Sequence, residues 1–215
     1  MDYIFTYDTY LHHENYQIIE VLGNGTFGTV FKIYDIDDNR YYAIKRIKIT
    51  QFNEHNIHII KKEAELLSKI NSEYAIKYYK SFIEDNCLHI VMEYCPEGDL
   101  RNFIQKYKNK NQLISRDLII IFIQCISEGL KEIHKNKIIH RDVKPENLFL
   151  TEDLRIKIGD LGISKQIIDK NGFTDIYTGT PLYMAPEINK GIMYDNKVDI
   201  YSFGLIIYEL CTLEF

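Results

Sequence analysis

β-Branched and aromatic runs over residues 16–23, 29–35 and 40–47, alternating with polar positions from Thr29 to Tyr34, are interrupted by glycines and by Asp37-Asp38-Asn39. Runs of this kind between turn residues predict three antiparallel strands. After a polar stretch at 50–56 the period changes: Ile59, Ile60, Ala64, Leu67 and Ile70 recur near every 3.6 residues, which predicts an amphipathic helix over 57–70. Two more strands are expected at 76–83 and 88–94, joined at Asp85-Asn86. Pro96-Glu97-Gly98 breaks this pattern and marks a hinge. Beyond it, helices are expected over residues 100–107, 116–135 and 197–212, the second with Ser115 as its N-cap. A small antiparallel sheet with one helix, followed by a mainly helical region, is an α+β arrangement in two lobes.

Composition narrows the class. At 215 residues, 46% hydrophobic and 27% charged, the chain can bury a sizeable core. A net charge of −5 gives no electrostatic footprint for nucleic acid or an acidic membrane, so neither is expected as a partner. Cys87, Cys95, Cys125 and Cys211 show no CxxC spacing, and no zinc site or disulfide framework is indicated. The N-terminus lacks the basic start and apolar run of a secretory signal, and the greasy stretch at 118–123 is too short to span a bilayer. The expected location is cytoplasmic or nuclear.

The chemistry concentrates in one octet, His140-Arg141-Asp142-Val143-Lys144-Pro145-Glu146-Asn147. It places an acid, a cation and an amide in one loop between the apolar pairs Ile138-Ile139 and Leu148-Phe149. Those groups suit phosphoryl transfer from a metal-bound nucleotide. Gly23-Asn24-Gly25-Thr26-Phe27-Gly28 fits GxGxxG, but a strand-like run from Thr29 follows where a dinucleotide-binding turn would open a helix. The glycines therefore read as a hairpin lid whose amides can approach a triphosphate, with Phe27 at its tip. Lys45 on the third strand can pair with phosphate oxygens. Glu63 is the candidate carboxylate to orient it, with Glu65 as the alternative. Asp160, at the end of a short strand, is a candidate magnesium ligand.

These motifs, in this order, resemble the eukaryotic protein kinases of the serine/threonine type from Tyr16 to Phe215. The resemblance implies a kinase domain over 16–215, with an N-lobe at 16–95, an incomplete C-lobe at 96–215 and an N-terminal extension at 1–15. It implies ATP and Mg2+ as cofactors, and a protein substrate with a Ser or Thr hydroxyl. Leu22, Gly23, Gly25, Gly28, Val30 and Ala43 would surround the nucleotide, and Lys45 with Glu63 would form the family's ion pair. Met92 would be the gatekeeper, Glu93 and Cys95 would lie in the hinge beside the base, Phe149 beneath adenine and Asp99 near the ribose. Asp142 would orient the hydroxyl and take its proton late, because an ordinary aspartate, with a pKa of about 3.9, is a poor base for a hydroxyl. Lys144 would screen the γ-phosphoryl group, Asn147 and Asp160 would hold the metal, and Thr180 would sit in the substrate segment. Asp199 would brace the catalytic loop. Arg141 and Lys165 imply a cationic pocket for a phosphorylated segment, with Thr174, Tyr177 and Thr178 as candidate sites.

The likeness extends to NIMA-related kinases and to those acting on translation initiation factor 2, and both readings stand at this point. Leu161 replaces the family's usual phenylalanine after the metal aspartate. The family fold continues with helices beyond this chain, so the helix at 197–212 is expected to leave an apolar face at Ile200, Phe203, Leu205, Ile206, Ile207 and Leu210 for a regulatory partner to cover. Two function classes follow: an active Ser/Thr kinase, and a kinase-like nucleotide- or partner-binding module made inactive by truncation.

Overall fold

The structure is a computed structural model that describes residues 10–11, 15–25, 28–49, 70–160, 181–191 and 193–214. The helix expected over 57–70 lies outside the described residues except for Ile70, as do Glu63, Glu65, Phe27, Thr180 and the candidate phosphosites. The chain divides into two compact units. Described residues up to Ile49 together with Tyr78–Tyr94 form the first; residues 70–77 and those from Cys95 onward form the second.

The first unit is a six-stranded antiparallel sheet of β1 (Tyr10–Leu11), β2 (Tyr16–Gly25), β3 (Gly28–Asp35), β4 (Arg40–Lys48), β5 (Tyr78–Glu84) and β6 (Cys87–Glu93), in the order β1-β2-β3-β4-β6-β5. Period two decides what each face carries. Phe31 lies opposite Ile44, Ile44 opposite Val91, and Ile33 opposite Tyr42; with Tyr16 and Phe82 they form one buried cluster. Each of these large side chains contributes roughly 1.5–3 kcal/mol by leaving water. On the opposite face, Val30 stands across from Lys45, Lys32 from Ala43, and Ala43 from Met92. The β5–β6 turn at Asp85-Asn86 has φ of 49° and 56°, the left-handed pair that a tight hairpin needs and that Asp and Asn tolerate.

One strand differs from expectation. The sequence suggested a start at residue 76, but β5 begins at Tyr78, because the Ile76 N–H donates to Ile158 O at 2.8 Å and the Ile158 N–H to Tyr74 O at 2.8 Å. Apolar residues before β5 thus belong to a ladder in the second unit, and periodicity cannot tell one sheet from another. The two-residue β1 was not expected either; it pairs with Tyr16 and Gln17.

The second unit contains α1 (Leu100–Asn109), α2 (Arg116–Lys135), the hairpin of β7 (Leu148–Leu150) and β8 (Ile156–Ile158), α3 (Pro186–Asn189) and α4 (Lys197–Thr212). Ser115 caps α2 by accepting from the Leu118 N–H at 3.4 Å, and Asp117 adds favourable charge in its first turn. Phe122, Cys125, Ile126, Gly129, Leu130 and Ile133 form its buried stripe. A Cβ at Gly129 would come 2.8 Å from both Ile158 Cδ1 and Tyr74 O, so glycine here lets α2 lie close against β8. On α4, Ile206 and Leu210 are buried, Phe203, Leu205 and Ile207 are half-buried, and Ile200 is exposed beside Tyr201 and Tyr208. The apolar face is partly open, as its sequence suggested. No helix among the described residues is long and apolar enough to cross a membrane.

Candidate active site

In the second unit, the backbone of residues 140–142 is fixed by Asp199 of α4. This carboxylate is 1% exposed, and its Oδ2 accepts from the His140 N–H at 2.9 Å while Oδ1 accepts from the Arg141 N–H at 2.8 Å. His134, in the last turn of α2, adds a third contact at 2.7 Å through Nε2. Arg141 is held in the left-handed region at φ 66°, a conformation uncommon for a bulky residue and one that these contacts support. Its guanidinium lies 5.7 Å from the ring centroid of Tyr194.

His140 is buried and its imidazole links two parts of the site. Its Nδ1 accepts from the Asp142 N–H at 3.2 Å, so the ring proton is on Nε2, which donates to Gly159 O at 2.9 Å. The residue after Gly159 is Asp160, exposed and at φ 50°. The Gly159 N–H in turn donates to Asn147 O at 2.9 Å. A Cβ at Gly159 would stand 2.6 Å from the Phe149 ring, so this glycine is required by packing.

Three polar side chains meet within the loop. Lys144 Nζ is 3.0 Å from Asp142 Oδ2, and Asn147 Nδ2 donates to Asp142 O at 2.8 Å and to Oδ2 at 3.1 Å. The side chains of Asp142 and Lys144 are about four-fifths covered, at 21% and 19% exposure, which strengthens their pairing relative to a surface pair. Asn147 is buried in the short 3-10 turn Pro145–Asn147, where proline suits the first position. Phe149 is half-buried in β7, and Asp99 bridges to it. The Asp99 carboxylate N-caps α1, accepting from the Asn102 N–H and Nδ2 at 2.7 Å each. Cys95 is buried where the chain re-enters this unit.

A second polar group was not legible in sequence. Arg101 of α1 donates to Glu146 at 3.0 Å, to Glu209 and to the Tyr183 hydroxyl, and Tyr183 also donates to Glu209. Burial lowers the Arg101 pKa, but hydrogen bonds to Glu209, Glu146 and Tyr183 more than offset this and hold it above its ordinary value. The network ties Glu146 of the loop and the turn at Pro181–Tyr183 to α1 and α4. Its members are separated by as many as 108 positions, and no local signal marks them.

In the first unit, register puts Val30, Ala43, Lys45 and Met92 on one face of the sheet, with Lys45 half-buried. Glu93 ends β6 and is half-buried, and Leu22 is exposed on β2. Gly23 pairs with Val30, and Gly25 with Gly28. Thr29 Oγ1 donates to Asn24 Oδ1 at 2.8 Å, which closes the hairpin below its tip. The glycines differ in what they do. At Gly28, φ is 151° and a Cβ would fall 2.1 Å from Arg46 O; a Cβ at Gly23 meets nothing within 4 Å. Gly28 therefore serves the close approach of β3 and β4, while packing among the described residues does not account for Gly23.

Comparison with known proteins matches residues 16–215 to the protein kinase domain. The chain is 37% identical over 201 residues to serine/threonine-protein kinase Nek3 of Mus musculus, covering 94% of this chain and 38% of that protein. It is 38% identical over 202 residues to Nek5 of Mus musculus, covering 94% and 31%, and 35% identical over 214 residues to Nek11 of Homo sapiens, covering 98% and 33%. The chain thus spans between three and four tenths of the length of these relatives.

Proposed function

This chain belongs to the protein kinase family, and on that premise we propose that it transfers the γ-phosphoryl group of ATP to a serine or threonine hydroxyl of a protein substrate. The observation that carries the proposal is the trio Asp142, Lys144 and Asn147, joined by contacts of 2.8–3.1 Å on a loop whose backbone is tied to buried Asp199. A loop so held costs little reorganisation when substrate arrives, which is where positioning contributes to rate. Asp142 accepts the hydrogen bond of the attacking hydroxyl and orients its lone pair, taking the proton late. Lys144, already beside Asp142, balances charge that develops on the transferred phosphoryl group.

Asn147 and Asp160 fit a magnesium site by donor chemistry. Among the described residues the Asn147 amide bonds through its nitrogen, which leaves the amide oxygen as a ligand atom, and the Asp160 carboxylate supplies a second hard oxygen. Held there by Asn147 and Asp160, a magnesium ion would supply positive charge against the phosphates. In the first unit, Lys45 is assigned to phosphate oxygens, Val30 and Ala43 to the faces of the base, Met92 and Glu93 to its edge, and Gly23 and Gly25 to close backbone approach. Leu22, with Phe149 and Cys95 of the second unit, is assigned further contacts with the base, Asp99 the ribose, Glu63 the orientation of Lys45, and Thr180 the substrate segment. The Nek names of the relatives favour the NIMA-related likeness over the initiation-factor-2 one.

Radiolabel transfer from ATP to a generic basic protein tests the proposal. The chain should transfer label, and Asp142→Asn should lower the rate by roughly 100-fold or more. Binding of Mg-ATP without transfer would support the alternative of a nucleotide-binding module.

A further inference from the structure

Lys32 lies on the same sheet face as Val30, Ala43, Lys45 and Met92, yet the chemistry above gives it no task. It stands directly opposite Ala43, and Ala43 opposite Met92, so these three side chains form one row across β3, β4 and β6. Its stem is largely covered, at 20% side-chain exposure, and its Nζ is 3.3 Å from Glu20 Oε1 of β2. The same ammonium lies 4.9 Å from the ring centroid of Tyr41 on β4 and 4.7 Å from that of Tyr94. Burial lowers its pKa, but hydrogen bonds to Tyr94 and Glu20 more than offset this and leave it raised, so the group is a cation at neutral pH.

A lysine held by a carboxylate and two aromatic rings is a poor ligand for phosphate. Glu20 cancels most of its charge at a distance, and moving the ammonium would forfeit both ring contacts. What it does join is β2, β4 and the residue that follows β6. Tyr94 lies between Glu93 and Cys95, both of which are assigned to the base. We propose that Lys32 is a positioning residue for nucleotide binding: through Glu20 and the Tyr41 and Tyr94 rings it fixes the segment after β6 and so sets base affinity without touching phosphate. This rests on the kinase reading above.

The test compares Lys32→Met and Lys32→Arg with the parent chain by titration with Mg-ADP, by ATP kinetics and by inhibition with inorganic tripolyphosphate. Freeing one side chain and its segment before binding corresponds to a weakening of roughly 3- to 10-fold in Mg-ADP affinity and in the KM for ATP. In Lys32→Met, kcat, the KM for protein substrate and tripolyphosphate inhibition should stay within about 2-fold, because the lost contacts are on the base side. Lys32→Arg, which can pair with Glu20 and stack on both rings, should recover most of the affinity. Thermal melting confirms that each variant is folded. A folded Lys32→Met with parental Mg-ADP affinity would overturn this inference and leave the kinase reading standing, and parallel weakening of tripolyphosphate would assign Lys32 to phosphate instead. A folded parent that binds no Mg-ADP would overturn both.

Discussion

In the loop at residues 140–147 side chains fix the backbone, whereas in the sheet that carries Lys45 the backbone fixes the side chains. Asp199 and Asn147 together accept from or donate to the main chain of His140, Arg141 and Asp142, and His140 reaches Gly159. The sheet needs no such help, because its ladder sets which side chains share a face. The difference teaches where each region is vulnerable. One buried carboxylate controls the loop, while the sheet tolerates a change at most single positions and fails where two backbones meet closely.

The largest expected effect is therefore at Asp199. Asp199→Ala leaves the buried His140 N–H and the Arg141 N–H without their acceptor, at roughly 2 kcal/mol each, or about 4 kcal/mol of stability together. Denaturant unfolding measures it, and activity should fall by roughly 100-fold in the fraction that remains folded, because the trio loses its support. Asp199→Asn keeps one acceptor oxygen and should fall between. A loss below about 1 kcal/mol would mean that the loop holds itself and the contrast with the sheet is wrong.

His89 of β6 sharpens the contrast from the other side. In the loop the buried histidine uses both nitrogens; in the sheet His89 is 1% exposed and stacked on Phe82 at 5.0 Å, and no side-chain partner among the described residues meets its ring nitrogens. Burial, with the Arg46 cation on the neighbouring strand, pushes its pKa down to about 4. The sign follows from proton uptake. Between the unfolded value near 6.5 and about 4 the unfolded chain binds the extra proton, so folding stability falls as pH falls through that window and is unaffected above it. The full loss, reached below about pH 4, is about 3 kcal/mol. His89→Leu should flatten the stability profile between pH 6.5 and 4 in denaturant titrations, and an unchanged slope would remove His89 as its source.

Where the sequence could be read, the reason is local. β-Branched and aromatic runs mark β3, β4 and β6, Asp85-Asn86 marks the turn between β5 and β6, and Ser115 marks the start of α2, because each signal is local to the element it specifies. Asp142, Lys144 and Asn147 are within six positions of one another, so their meeting was legible too. The supports were not. His134 and Asp199 are 65 positions apart, Arg101 and Glu209 are 108 apart, and the contact between Tyr74 and Ile158 crosses most of the chain's middle. Asp99 shows a subtler limit: its place before Leu100 permits both a cap and a ligand, and only the structure shows its oxygens on Asn102.

The smallest effects separate two glycines that the motif treats alike. Gly28→Ala drives a methyl group to 2.1 Å from Arg46 O at a φ that only glycine adopts comfortably, so β3 and β4 must part, at a cost of about 2 kcal/mol. Gly23→Ala meets nothing within 4 Å, and its effect on stability should stay within about 0.5 kcal/mol. If Gly23 is glycine to admit a ligand, its alanine variant should instead raise the KM for ATP by roughly 3- to 10-fold with the melting temperature unchanged. Equal melting temperatures for the two variants would show that β3 and β4 can yield at Gly28. The sheet's weak point would then lie elsewhere, and the contrast with the loop would lose its structural half.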